Sequence, residues 1–275
     1  MSRPAEITID LDAVTHNLEI VKNLAPYSKV MAIVKADAYG HGVLRIAQAL
    51  KDVAAFGVAR LDEAVVLRNA GYKNKIVLLE GILDRSELRE ASDLDLDIVI
   101  HSDYQVDLLT RQNRKFRVWF KINTGMNRLG FHPHDARSNL RTIRKYSTEI
   151  ILMTHFSCAQ LSNDTSALRQ EEAFDEIVMR ASEEKSLANS AAILALPSTH
   201  RDWVRPGLML YGVSPFTGTI ASEYGLKPAM TVKSRLIATQ AVSAGEYIGY
   251  GKNYISKKDM YIGVVAFGYG DGYPR

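Results

Sequence analysis

Short apolar runs alternate with segments of helical period along most of this chain, and that alternation limits the fold more than any other feature. Strand-like runs fall near Val30–Val34, Ala54–Val58, Ile76–Leu79, Asp97–Ile100, Arg117–Ile122, Ile150–His155, Leu187–Ile193 and Gly207–Val213. Helix-period segments lie between most of them, at Val43–Leu50, Leu61–Ala70, Arg85–Ala91, Tyr104–Arg111, His134–Tyr146 and Ser166–Glu184. Strands this short, separated by helices, read as parallel βα units. About eight such units close a (β/α)8 TIM barrel of roughly 250 residues. The competing topology is an open doubly wound sheet, whose first turn carries a Gly-x-Gly-x-x-Gly phosphate loop. No such loop follows the first strands, so the expected class is α/β with a closed barrel.

Ahead of the barrel, Glu6–Leu11 alternates like a half-buried strand, and Asp12 is expected to cap a helix carrying Val14, Leu18 and Val21. The pattern changes after about Phe216. Ser222–Pro228 reads as a connector, Met230–Val242 as a long strand, Gly245 as a turn and Tyr261–Phe267 as another strand. The expected division is residues 1–225 as the barrel with its N-terminal strand and helix, and 226–275 as the start of an all-β domain. That second part has too few strands to bury a core alone.

With 47% hydrophobic and 24% charged residues among 275, the chain has ample material for a core. The net charge of +3 is small and spread out, which leaves no footprint for nucleic acid. One cysteine, Cys158, excludes an internal disulfide and suits a reducing compartment. The N-terminus lacks an apolar signal core, and no uncharged apolar stretch is long enough to span a bilayer. A soluble cytoplasmic protein is expected, with no membrane partner and no assigned metal.

Lys35 closes the apolar run Val30–Val34. Burial disfavours the charged form of a lysine, and a desolvated lysine of lowered pKa suits Schiff-base chemistry with a carbonyl cofactor. The plain alternative is a strand-end lysine with a packed stem and a wet ammonium. The other strand ends bear on the choice, because a barrel places its active site there. Tyr39 follows the first strand, Thr124–Phe131 with Arg128 the fifth, His155 the sixth, and Ser190 the seventh; Arg205 and Gly207 stand at the eighth. A lysine, two arginines, a histidine, a tyrosine and a serine on one mouth suit an anionic, aromatic, phosphorylated ligand carrying an aldehyde.

Several motifs together carry a resemblance. They are Ala5–Ala13 with His16-Asn17, Val34-Lys35-Ala36-Asp37-Ala38-Tyr39-Gly40-His41-Gly42, Thr124–Phe131, Ala188–Ala192, Val204-Arg205-Pro206-Gly207 and Gly268-Tyr269-Gly270-Asp271-Gly272-Tyr273-Pro274-Arg275. On them the chain resembles the alanine racemases, barrel-type enzymes dependent on pyridoxal 5'-phosphate. The resemblance implies that Lys35 holds the cofactor as a Schiff base and serves as base on one face of the substrate. Tyr269 is implied as the base on the opposite face, reached by a hydrogen-bond chain through His155 and Arg205. Arg205 is implied to face the pyridine nitrogen, where a cation disfavours ring protonation and weakens the electron sink. His155 is implied to stack on the ring, and Tyr39, Ser190 and the amides around Gly207 and Leu208 to hold the phosphate. Arg128 is implied near the substrate carboxylate. Lys121 matches a lysine carbamylated in some members.

The resemblance further implies a head-to-tail homodimer with shared active sites, alanine as substrate, and D-alanine supply for peptidoglycan. Family members carry a longer β domain, with a Gly-Arg-(Val/Ile)-Ser-Met-Asp-like motif absent here. The expectation is therefore of a fragment or truncated product with weak or absent racemase activity. Alternatives are a racemase for another amino acid, a non-catalytic cofactor-binding barrel of the homeostasis type, and a barrel-type decarboxylase. The β-like Met230–Arg275 argues against the second, and the Tyr269 motif with Arg205 against the third.

Overall fold

The computed structural model describes residues 4–160 and 164–274. Eight parallel strands close a barrel in the order Lys29–Ile33, Ala55–Val58, Lys75–Leu78, Asp97–Ile100, Phe116–Lys121, Ser147–Met153, Glu184–Asn189 and Trp203–Arg205. Closure comes from pairing the first strand with the last, Lys29 beside Trp203 and Val30 beside Val204. Strands covered by helices outside and packed inside have no wet face, and Ala55–Val58 and Asp97–Ile100 are buried along their whole length.

Alternate residues of each strand point inward. Met31, Val99, Trp119, Ile151 and Trp203 fill the interior, the two indole rings meeting edge-on at 5.1 Å. Near the N-terminal end of the strands, Trp119 Nε1 donates to one oxygen of Asp97 at 3.1 Å and Arg117 Nε to the other at 2.5 Å. Burial still pushes the Asp97 carboxyl up, against the pull of Arg117. Side chains thus fill that end of the barrel among the described residues, and the cavity lies at the opposite end.

Several boundaries differ from the sequence reading. The eighth strand is Trp203–Arg205 rather than Gly207–Val213, and Leu208–Tyr211 forms a 3-10 turn. Pro206 has no N–H to continue a ladder. The run Leu187–Ile193 is divided: the strand ends at Asn189, whose Oδ1 accepts from Ala192 N at 3.1 Å and opens the helix Ser190–Ala195. The helix beginning at Ser166 stops at Val178, short of Glu184. Asp10, not Asp12, caps the first helix Leu11–Leu24, accepting from Ala13 N at 2.9 Å. On that helix the fully buried Asn17 donates to the carbonyls of Leu210 (3.1 Å) and Lys227 (2.8 Å) and accepts from Lys227 N (2.8 Å). One amide thereby satisfies three backbone groups that burial would otherwise orphan.

A second unit comprises the chain up to Ile9 and from Met230 onward, the barrel unit running Asp10–Ala229. Its strand Glu6–Ile9 pairs antiparallel with Met230–Lys233. The sequence grouped this strand with the barrel, but a closed barrel offers no edge for a ninth strand. Met230–Val242 is two strands, the second of which, Leu236–Val242, pairs with Met260–Val265. A short pairing of Tyr247–Ile248 with Tyr254–Ile255 has no counterpart in the sequence reading. Leu236, Ile237 and Tyr261 of this unit are exposed. Arg275, the last residue of the Tyr269 motif, lies outside the described residues. No helix among the described residues is long and apolar enough to cross a membrane.

Candidate active site

A cavity of about 900 Å³ opens at the C-terminal ends of the barrel strands, and all of its lining comes from the barrel unit. Lys35, Tyr39, Arg128, His155, Ser190, Arg205, Gly207, Leu208 and Lys121, singled out from sequence, all line it. Tyr269 belongs to the other unit, on the turn Tyr269–Asp271, where its side chain is 80% exposed.

Lys35 stands at the head of an unusual turn. Ala36, Asp37, Ala38 and Tyr39 have φ of +54°, +51°, +55° and +54°, four successive non-glycine residues in the left-handed region. Each costs about 1–2 kcal/mol in an L-residue, so the turn persists only because its surroundings hold it. Asp37 Oδ1 accepts from Val43 N at 2.7 Å, and Gly42 N donates to Asp37 O at 3.0 Å. The Lys35 side chain is half-buried rather than enclosed as its apolar approach suggested, and its Nζ has no hydrogen-bond or carboxylate partner among the described residues.

Arg205 is 4% exposed. Its Nη1 donates to Ser186 Oγ at 2.6 Å, and its Nη2 to the carbonyls of Thr154 (2.6 Å) and Leu187 (3.1 Å) and to His155 Nδ1 (3.2 Å). No carboxylate pairs with it among the described residues, and burial lowers its pKa to about 10. Lys121 is also buried; desolvation, then the charges of Arg205, Arg128 and Lys35, bring its amine down to about 7. The same burial and the same cations hold His155 well below the ordinary imidazole range. Glu80 is the only carboxylate on the lining among the described residues. Cations crowded together in partial burial call for an anionic occupant.

Arg128 rides on the loop after Phe116–Lys121. Asn123 Oδ1 accepts from the amides of Gly125 (3.1 Å) and Asn127 (3.0 Å), and Phe131 N returns to Lys121 O at 2.9 Å. The Arg128 side chain is exposed and unpaired among the described residues. Across the mouth, Ser190 Oγ accepts from Gly207 N (2.9 Å) and Met209 N (3.3 Å), which leaves its own proton to donate outward. The Gly207 amide is therefore spent on Ser190. The Leu208 amide has no acceptor among the described residues. A Cβ on Gly207 would lie 2.7 Å from Tyr39 Oη, so only glycine lets that phenol close over the strand end. Free donors beside an unpaired amine fit a phosphorylated aldehyde.

His101, at the end of Asp97–Ile100, also lines the cavity, and sequence reading missed it. The strand-end rule that found His155 would have found it. Gln170 was missed as well: it is buried behind the site, donating to His155 O at 3.0 Å and accepting from Ser157 N at 2.9 Å. Nothing in the pattern of its own helix marks it.

Residues 9–215 match the sequence model of the alanine racemase N-terminal domain, and residues 229–275 that of the C-terminal domain. The alanine racemase of Nitrosomonas eutropha is 45% identical over 282 aligned residues, covering 100% of this chain and 78% of that protein. The crystal structure of biosynthetic alanine racemase from Pseudomonas aeruginosa superposes with a TM-score of 0.95 at 40% identity, again over 100% and 78% of the two chains. That of alanine racemase from Bartonella henselae with covalently bound pyridoxal phosphate has a TM-score of 0.87 at 27% identity, over 100% and 78%. On matches of this extent, the chain belongs to the alanine racemase family.

Proposed function

We propose that this protein interconverts L- and D-alanine, with pyridoxal 5'-phosphate held covalently on Lys35. One observation carries the reading: an unpaired lysine amine shares a cavity with Lys121, Arg128 and Arg205 and with the free hydroxyl proton of Ser190. When bound, the cofactor supplies a conjugated sink for the electron pair left when the amino acid loses its Cα proton. Ser190, Tyr39 and the Leu208 amide would hold the phosphate. Arg205, fixed by four hydrogen bonds, would offer its guanidinium to the ring nitrogen, disfavour protonation there and so leave that sink weak. A weak sink would favour return of a proton to Cα over transamination. Arg128 meets the substrate carboxylate, for which a guanidinium fork is suited.

Racemisation needs a proton taken from one face of Cα and another delivered to the opposite face. Lys35 serves one face and Tyr269 the other. In this reading Tyr269 comes from the partner of a homodimer; its exposure, and that of Leu236, Ile237 and Tyr261 in the same unit, is consistent with an interface there. A cytoplasmic location and a role in supplying D-alanine for peptidoglycan go with the family.

The test is Cα exchange in deuterated water. L-alanine and D-alanine should each gain deuterium at Cα, and Tyr269→Phe should abolish exchange from one enantiomer while sparing the other. No exchange from either enantiomer, with the cofactor bound, would leave a carrier protein instead. Faster exchange of another amino acid would move the substrate assignment.

A further inference from the structure

The left-handed turn Ala36–Tyr39 is the costliest backbone around the cavity, and such strain survives only where contacts over-determine it. Its far end is held by Asp37 and Gly42, as described above. At the lysine end one side chain does the holding. Glu63 Oε1 accepts from Ala36 N at 2.7 Å, and its Oε2 accepts from Ala59 N at 2.7 Å. Ala36 is the residue directly after Lys35, and Ala59 lies on the cavity just past the strand Ala55–Val58. Glu63 occupies the first turn of the helix Leu61–Asn69, where the helix dipole favours a carboxylate. The helix cap residue, Arg60, makes no side-chain capping bond to the helix amides.

We propose that Glu63 is a positioning residue for Lys35. Its two oxygens bridge the loops that follow the first two barrel strands, fixing the peptide from which the lysine side chain departs. Glu63 need not touch the cofactor or the substrate to do this. Two charge-assisted bonds to backbone amides are strong for their size. A glutamine at this position can accept only one of them and turns its own N–H groups toward the other amide. The inference rests on the reading of Lys35 as the cofactor-bearing amine.

Two measurements on the full chain test it, comparing the parent protein with Glu63→Gln. Hydrogen–deuterium exchange without added ligand should quicken about ten-fold at residues 34–42, the effect of one lost bond to a charged group. The strands Asp97–Ile100 and Phe116–Lys121 should exchange as before. Pyridoxal phosphate should then be added and fixed with borohydride at timed intervals. Labelling of Lys35, read by peptide mass, should be at least about ten-fold slower in the variant, since misplacing a reacting group by a fraction of an ångström is expensive. Should Glu63→Gln fail to fold, Glu63→Asp, with both oxygens on a shorter arm, carries the same comparison. Unchanged exchange at 34–42 overturns the proposal whatever Lys35 does. So does quickened exchange with labelling at the parent rate. An unlabelled Lys35 in the parent protein overturns the cofactor reading and the positioning role with it.

Discussion

Arg205 Nη2 donates to Nδ1 of His155 across 3.2 Å. A guanidinium offers no acceptor, so this contact places the imidazole proton on Nε2 and leaves no room for a second one. Burial, reinforced by Arg205, Lys121, Arg128 and Lys35, holds the ring neutral in the fold. The imidazole resonances of His155 should therefore not titrate around the ordinary imidazole pKa of about 6.5. The unfolded chain, by contrast, binds a proton there below about pH 6.5. More protons on the unfolded state mean that stability falls as pH drops below that value. His101, lowered chiefly by burial, adds to the slope with the same sign. Denaturant midpoints measured against pH should show His155→Gln losing part, not all, of this acid-side decline.

Lys121 gives the opposite end of the pH scale. With its folded pKa lowered to about 7, the amine is neutral in the fold above that point, while the unfolded chain keeps its proton up to about pH 10.4. Stability should rise from neutral pH to about pH 10 by up to a few kcal/mol, relative to Lys121→Met. Urea titrations of both proteins at several pH values measure the difference directly. Parallel curves would mean that the lysine remains charged.

Replacing Gly207 by alanine puts a methyl group 2.7 Å from Tyr39 Oη. The Tyr39 ring is confined by Tyr211, 4.9 Å away between centroids, so the phenol must shift out of the cradle. Affinity for pyridoxal phosphate should fall about ten-fold by equilibrium dialysis, the equivalent of one weakened hydrogen bond. The melting temperature should change little.

Gly212 makes a purely structural prediction. It has φ +72°, and a Cβ there would sit 1.9 Å from the Lys227 carbonyl oxygen, a backbone atom that cannot yield. Gly212→Ala should cost about 3 kcal/mol of stability, seen as a lower denaturant midpoint with the m-value unchanged.

The barrel was legible because its strands are short, apolar and evenly spaced, and the site because a barrel presents strand ends at one mouth. Lys35, His155 and Ser190 could be placed on that rule alone. The eighth strand was not legible. Trp203-Val204-Arg205 is three residues long and ends in a buried arginine, whereas Leu208–Tyr211 carries the stronger apolar signal. The left-handed turn could not be read either. Alanine, aspartate, alanine and tyrosine have no shared preference for positive φ, and one of the groups bonded to the turn, Glu63, lies more than twenty residues along the chain. Gln170 escapes for the same reason, since its importance lies in backbone groups of another loop. Side chains that act by catching distant backbone leave no periodicity of their own.

The account turns on the Lys35 amine, and peptide mass analysis after borohydride reduction examines it directly. With pyridoxal phosphate present, the label should fall on the peptide containing Lys35 and vanish in Lys35→Ala, while a folded Lys121→Met still takes it up. A label spread over surface lysines, or surviving in Lys35→Ala, would contradict the assignment of this cavity.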